Sequence, residues 1–453
     1  MRADDLAFAG AADQARLVAA GEVSARELVD VHLDRIARHD PVLNAFRVVL
    51  ADRARAEADA VDARRATGEP ARPLEGVPIA VKDDMNLAGE VTARGSIAHD
   101  GRPAAADAKA VARLRAAGAV VLGKTNVPEL MTMPFTETLW YGATRNPWDL
   151  DRTPGGSSGG SGAAVAAGLC AAATASDGAG SIRIPAACCG LVGLKPTAGR
   201  VPTPARAWRG LATFGVVSRT VRDAVALYAV LTGEDWTPAP AGRLRVGWSV
   251  KVPPGTRGRA DATMRGAVAS FAATAAALGH EVAEHDPDLG LMGANMVTRY
   301  LRGIADDAAA MAHPERLDRR TRGLKRLGGL IPEVVAARAD AAGAGADRDR
   351  LAAVFAHVDV LATPMFTELP PRIGAYEGLG AARSLDKALA YVPFPGLANH
   401  TGLPALAVPV EATAAGFPLA VQLLGPAGSE ARLLGLAAQL EQAVGWPARR
   451  PAL

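Results

Sequence analysis

The sequence predicts a mixed α/β fold, and three observations carry that reading. In "GVPIAVKDD" (residues 76–84), Val77, Ile79 and Val81 alternate with Pro78, Ala80 and Lys82. That is strand spacing, with Lys82 on the face opposite the valines. Next, "DAKAVARLRAAG" reads as a helix closed by Gly118, and "AVVL" after it as a buried strand. Strand, helix and strand in that order imply a right-handed crossover and a parallel pair. Near the other end, "HVDVLATP", "LPALAVPV" and "PLAVQLLG" are three strand-like segments, followed by the amphipathic helix "EARLLGLAAQLEQAVG".

Taken in order, the chain opens with a helical arm over 1–70. Ser24 with Glu27 three residues on forms a capping box, and Val29, Leu33 and Ile36 recur at helical spacing. A core over 75–235 holds the strand–helix–strand unit, then "SGAAVAAGLC", a helix of small residues suited to close packing, and the apolar run "AAATASDG". The segment "WTPAPAGRLR" (236–245) is the best candidate for a break. Residues 250–350 are rich in Ala and Arg, helical in pattern and poor in motifs, and 351–445 supplies the closing strands and helix. With no internal repeat, the expectation is one domain over 1–453.

Composition excludes several functions. At 453 residues and 49% hydrophobic, the chain can bury a large core. A net charge of +3 without a Lys/Arg cluster gives no footprint for nucleic acid. The apolar runs fall short of the roughly 18 residues that span a membrane, and "MRADDLAFAG" carries acids where a signal peptide is basic. The expected location is cytoplasmic. Three cysteines, two of them adjacent (Cys188, Cys189), suit neither a disulfide framework nor a zinc site. Only seven of the 50 basic residues are lysine, so Lys82 in an apolar segment stands out.

Four motifs bear on chemistry. "GAVVLGKT" (118–125) satisfies the phosphate-loop pattern, but its four middle residues are the predicted strand itself and Pro128 follows too soon for a helix. "GGSSG" (155–159) satisfies the nucleophile elbow with Ser157 at its centre. The preceding "DLDRTP" is charged and unlike a strand, and no downstream histidine among His280, His285, His313, His357 and His400 is singled out. The third, "SDGAGSIRIPAACCG" (176–190), places Ser181 after Gly178, Ala179 and Gly180. Small residues there let successive N–H groups converge on one point, as an oxyanion hole requires. Either glycine cluster alone is ordinarily a loop, but here Ser181 follows Ser157 by 24 residues and a strand-borne lysine, the fourth element, accompanies them.

Together "GVPIAVKDD", "LGKTNVPEL", "GATRNPWDLDRTPGGSSGGSGAAVAAG", "SDGAGSIRIPAACCGLVGLKPTAGRVP" and "GLPALAVPV…GFPLAVQLLG" resemble the amidase signature family of amide hydrolases, in order over roughly 20–230 and 350–445. The resemblance implies that family's fold, a central mixed, twisted sheet covered by helices on both faces. It also implies a Ser-cis-Ser-Lys triad: Ser181 as nucleophile, Ser157 as relay and Lys82 as base. The oxyanion would sit on the N–H groups of Gly178, Ala179, Gly180 and Ser181. Ala179 departs from the commoner glycine and restricts that backbone to negative φ. Asp177 and Arg183 are expected to pair and brace the loop, and Met131 falls where the family lines an acyl site, against the ordinary reading of a methionine as core filling.

A lysine base must lose its proton near neutral pH. From an ordinary pKa near 10.4, a depression to about 7.4 costs about 4 kcal/mol. Burial beside Ala80 and Val81 can supply that. Asp83 and Asp84 would oppose it, so both are expected to point away from the Lys82 amine. The substrate implied is a small carboxylic acid amide, with no metal, cofactor, nucleic acid or membrane, and room is left for a homodimer. The glutaminase subunit of a tRNA-dependent amidotransferase shares these motifs, but Ile184 stands where it has glutamine, and no glutamine-binding segment is found over 250–350. An esterase with Ser157 as nucleophile remains the other alternative.

Overall fold

The computed structural model describes residues 2–204, 207–240 and 242–453. Among them thirteen strands follow the chain: β1 (Phe46–Val49), β2 (Pro78–Lys82), β3 (Val120–Thr125), β4 (Glu137–Thr138), β5 (Gly142–Ala143), β6 (Ala172–Asp177), β7 (Val192–Lys195), β8 (Thr213–Ser218), β9 (Arg245–Trp248), β10 (Glu281–Glu284), β11 (Val360–Pro364), β12 (Ala405–Ala412) and β13 (Pro418–Leu424). β4 and β5 form a small hairpin. The other eleven make one mixed sheet in the order β1-β3-β2-β6-β8-β7-β12-β13-β11-β9-β10.

The strand–helix–strand unit is as the spacing predicts. β2 and β3 run parallel, joined through the helix Lys109–Ala116, with Val81 opposite Lys124 and Lys82 opposite Thr125. Every residue of β2, β3 and β6 is buried, which is why they read as apolar runs. β3 consists of "VVLGKT" itself, so the phosphate-loop match is a strand, followed by a short turn over Glu129–Met131. The arm begins with half of the expected capping box: Ser24 Oγ caps the helix Ala25–Leu43 by accepting from the Glu27 N–H at 3.0 Å.

Two features differ from the sequence reading. Segment 236–245 is no break, since the one sheet takes strands from both sides of it. Its Trp236 is buried, and the Ala239 N–H donates to Ala431 O at 2.9 Å, pinning it against the helix Glu430–Val444. The other is the presence of strands β1 and β10, four residues each, at the two sheet edges within stretches read as helical. Edge strands bury little and carry little pattern.

Two sets of helices flank the sheet. Gly159–Ala166 and Arg183–Cys189, buried at every position, lie against β6 and β2 and against β7, β12 and β13 respectively. Val221–Thr232, Ala262–Ala277 and Glu430–Val444 pack on the same central strands. The small residues of the first helix have a steric cause. A Cβ on Gly160 would lie 2.5 Å from both Ala45 O and Asn126 N, so only glycine lets the helix reach that depth. Among the described residues no helix is long and apolar enough to cross a membrane.

Candidate active site

β2 delivers Lys82 to the centre of the site. Its N–H donates to Thr174 Oγ1 at 2.8 Å, fixing the end of β2 against β6. The side chain is completely buried. Its Nζ lies 2.8 Å from Ser157 Oγ, 2.7 Å from Ser176 Oγ and 3.4 Å from Ser176 O. Burial pushes the Lys82 amine below its ordinary pKa, while Asp84 and then Asp177 oppose that shift.

Asp84 corrects the expectation that both following acids point away. Asp83 does, towards Arg47 Nε at 2.7 Å and Lys124 Nζ at 3.0 Å. Asp84 turns back instead, with Oδ2 3.3 Å from Lys82 Nζ. The cause is Ser176, whose Oγ donates to the same Asp84 Oδ2 while meeting the lysine. A charged lysine buried among hydroxyls alone would be costly, and a nearby carboxylate offsets that cost.

Ser157 follows a cis Gly156–Ser157 peptide and precedes the helix Gly159–Ala166. A Cβ on Gly156 would lie 2.7 Å from Met133 O and from Phe135 N, so the glycine permits backbone to pass against backbone. Ser157 is only 1% exposed. Ser158 lies against the backbone of Ser176, its Oγ 3.4 Å from both the Ser176 nitrogen and the Ser176 carbonyl oxygen.

Ser181 ends the loop that follows β6. Asp177 and Arg183 pair as expected, Nε to Oδ2 at 2.9 Å and NH2 to Oδ1 at 3.0 Å, with both side chains fully buried. Burial alone would raise the Asp177 pKa, but Arg183, Lys195 and Asn399 overcome it and hold the carboxyl at about 2. This carboxylate also takes the Gly180 N–H at 2.6 Å and the Ile182 N–H at 3.2 Å. That corrects the oxyanion set: Gly180 is committed to Asp177, whereas the N–H groups of Gly178, Ala179 and Ser181 have no protein acceptor among the described residues. Gly180 has φ +120°, a conformation closed to Ala179, whose φ is not positive.

Two cavities meet at Ser181. One, of about 740 Å³ counting its open mouth, is apolar, with Met131, Met133, Ile184, Met296, Tyr300 and Leu385 among its walls. The other is the more polar of the two, setting Asp84, Arg94, Ser157, Ser176 and Asp307 among the apolar Trp208, Phe214 and Pro204. Ser181 and Met131 border both. Met131, with φ +56°, borders both cavities while also packing against the apolar cluster that holds Met133, Phe135 and Trp208. Arg94, Leu130, Trp208 and Arg209 also hold positive φ around this region, strain of the kind that clusters at functional sites. Among the described residues no three His, Cys, Asp or Glu side chains are grouped to hold a metal.

The structure therefore brings Lys82, Ser157, Ser181, Gly178, Ala179 and Met131 to one place, with Asp177 and Arg183 directly behind. Sequence reading missed Ser176, Asp84, Asn399 and the polar wall of Trp208 and Asp307. Ser176 had a local signal, since Thr174 and Ser176 alternate along an alanine-rich strand and so share a face. Asn399, whose Nδ2 donates to Asp177 Oδ1 at 2.8 Å and whose Oδ1 accepts from Arg183 at 2.6 Å, had none.

Comparison with known proteins agrees with this geometry. The Amidase family matches residues 27–434. A protein of Mycobacterium tuberculosis (strain ATCC 25618 / H37Rv) named as an amidase, AmiB2, is 49% identical over 460 aligned positions, covering 99% of each chain. The structure of 6-aminohexanoate cyclic dimer hydrolase superposes with a TM-score of 0.89 at 32% identity, covering 98% of this chain and 99% of that one. A bacterial aryl acylamidase of the amidase signature family gives a TM-score of 0.86 at 27% identity over 98% and 99%. This chain belongs to the amidase signature family, hydrolases of carbon–nitrogen amide bonds.

Proposed function

We propose that this protein hydrolyses amides of monocarboxylic acids with apolar acyl groups, through an ester formed on Ser181. The observation that carries the reading is the 2.8 Å contact between Lys82 Nζ and Ser157 Oγ, in the wall of a cavity that Ser181 also lines. When the buried lysine is neutral, the same contact lets its nitrogen accept from the Ser157 hydroxyl.

The Ser181 hydroxyl then bonds to the amide carbon as its proton passes to Ser157 and that of Ser157 to Lys82. The carbonyl electron pair moves onto oxygen, and the free N–H groups of Gly178, Ala179 and Ser181 stabilise it. Donors of this kind are each worth about 10² to 10³ in rate. Collapse breaks the carbon–nitrogen bond, and the leaving nitrogen takes a proton from Ser157, which Lys82 replenishes. Water repeats the sequence on the ester, releasing the carboxylic acid and restoring the Ser181 hydroxyl.

Ser181, at the junction of both cavities, suits the nucleophile better than the buried and lysine-bonded Ser157, which disfavours the esterase reading. Ile184 on the apolar wall favours a stand-alone amidase over a glutaminase subunit. Asp177 and Arg183 position the loop and do not touch substrate. The test is ammonia release from benzamide and hexanamide, lost in Ser181→Ala. Equal rates in the variant would overturn the reading.

A further inference from the structure

The two cavities differ in chemistry, and the position of Ser157 says which half of the substrate each receives. The leaving nitrogen has to collect its proton from Ser157 Oγ, and Ser157 borders the polar cavity but not the apolar one. The amine half therefore lies in the polar cavity and the acyl half against Met133, Met296 and Leu385. This assignment rests on the amidase reading proposed above.

The polar cavity holds two carboxylates whose bonding is incomplete. Asp84 is 94% buried as a side chain, its exposure being 6%. Both of its contacts use Oδ2, and Oδ1, buried as well, has no hydrogen-bond partner. An orphaned carboxylate oxygen in a cavity wall is an acceptor awaiting a donor. In the wall of the same cavity, Asp307 Oδ2 accepts the Trp208 indole N–H at 2.9 Å, and its nearest cation, Arg94, is 4.0 Å away. Burial raises the Asp307 pKa, as it does for a carboxylate without a close counter-ion. The outer carboxylates differ: Asp306, Glu333 and Asp340 are all paired with Arg209. Of the carboxylates around this cavity, Asp84 thus keeps one buried oxygen without a hydrogen-bond partner, and Asp307 is the more loosely paired of the rest.

We propose that the leaving-group cavity selects amides whose amine half carries a second, positively charged amino group, held between Asp84 Oδ1 and Asp307. A mono-acylated diamine fits this description. Its amide nitrogen would face Ser157 while its ammonium, several bonds further on, donates to the two carboxylates. A leaving group that ends in a carboxylate would meet the same two acids with only Arg94, already 4.0 Å from Asp307, to offset them, and should be disfavoured.

The test compares three benzamides with one acyl group: that of a terminal diamine, that of the alkylamine of equal length and that of the ω-amino acid of equal length. Partly buried charge pairs predict kcat/KM about tenfold higher for the diamine than for the alkylamine, and lower again for the amino acid. In Asp307→Asn the ratio of diamine to alkylamine should fall to within about threefold of one. The free diamine should also inhibit the wild-type enzyme about tenfold more strongly than the free alkylamine, a measurement that needs no variant. Hydrolysis of the alkylamide with no preference for the diamine would overturn this inference and leave the amidase reading standing. Failure to release amine from all three, or ammonia from benzamide, would overturn both.

Discussion

Lys82 and Lys124 sit on neighbouring parallel strands, one register step apart, and both are completely buried. Burial lowers the pKa of each. What separates them is the face of the sheet. Lys124 donates to Val91 O at 3.1 Å and Thr92 Oγ1 at 2.8 Å and pairs with Asp83 at 3.0 Å, a set that holds a charged ammonium in place. Lys82 meets two serine hydroxyls and a carboxylate set back at 3.3 Å, all three in the wall of the more polar cavity. Equal burial thus makes a strut on one face and a candidate base on the other. Asp83 and Asp84, adjacent in the chain, are divided between them in the same way.

The largest expected effect comes from removing the group both halves of the site serve. Ser181→Ala should lower kcat/KM for a benzamide by about 10⁴-fold or more, measured by ammonia release. Next, Lys82→Met should cost about 10³-fold in kcat, whereas Lys124→Met should keep activity within about threefold. The second variant should instead lose about 2 kcal/mol of stability in urea unfolding, because Asp83 keeps only Arg47. Equal losses of rate in the two variants would break the comparison.

Smaller effects sharpen it. Arg183→Met frees the Asp177 carboxylate that holds the Gly180 and Ile182 N–H groups, and kcat should fall by about 10- to 100-fold with KM changed less. Asp84→Asn acts through Lys82. Asp84 raises the Lys82 pKa, so its removal lowers it, and the neutral base persists to lower pH. The acidic limb of kcat/KM should move down by about one pH unit. A limb that moves up would show that Asp84 does not act on the base.

The parts of this site that were legible in the sequence are those made by contiguous residues. Lys82 follows from strand alternation, Ser157 and Ser181 from two glycine clusters, and the Asp177–Arg183 pair from its spacing around the nucleophile. The fold was legible where strands are buried on both faces, as in β2 and β3, and less so at the edges. What escaped was made by distant segments. Asp307 meets the site from the helix Met292–Ala309, and Asn399 reaches Asp177 from the turn of helix before β12. Asp84 escaped for another reason. A lone carboxylate beside a base looked unfavourable, and only the bridging Ser176 hydroxyl shows what holds it there.

The most direct test of the account is to locate the acyl group. Acid quenching of the enzyme during turnover of an aryl amide, followed by peptide mass spectrometry, should find the ester on Ser181 in the wild-type protein and in Lys124→Met, and its formation slowed in Lys82→Met. An ester on Ser157, or equal acylation of Ser181 with and without Lys82, would contradict it.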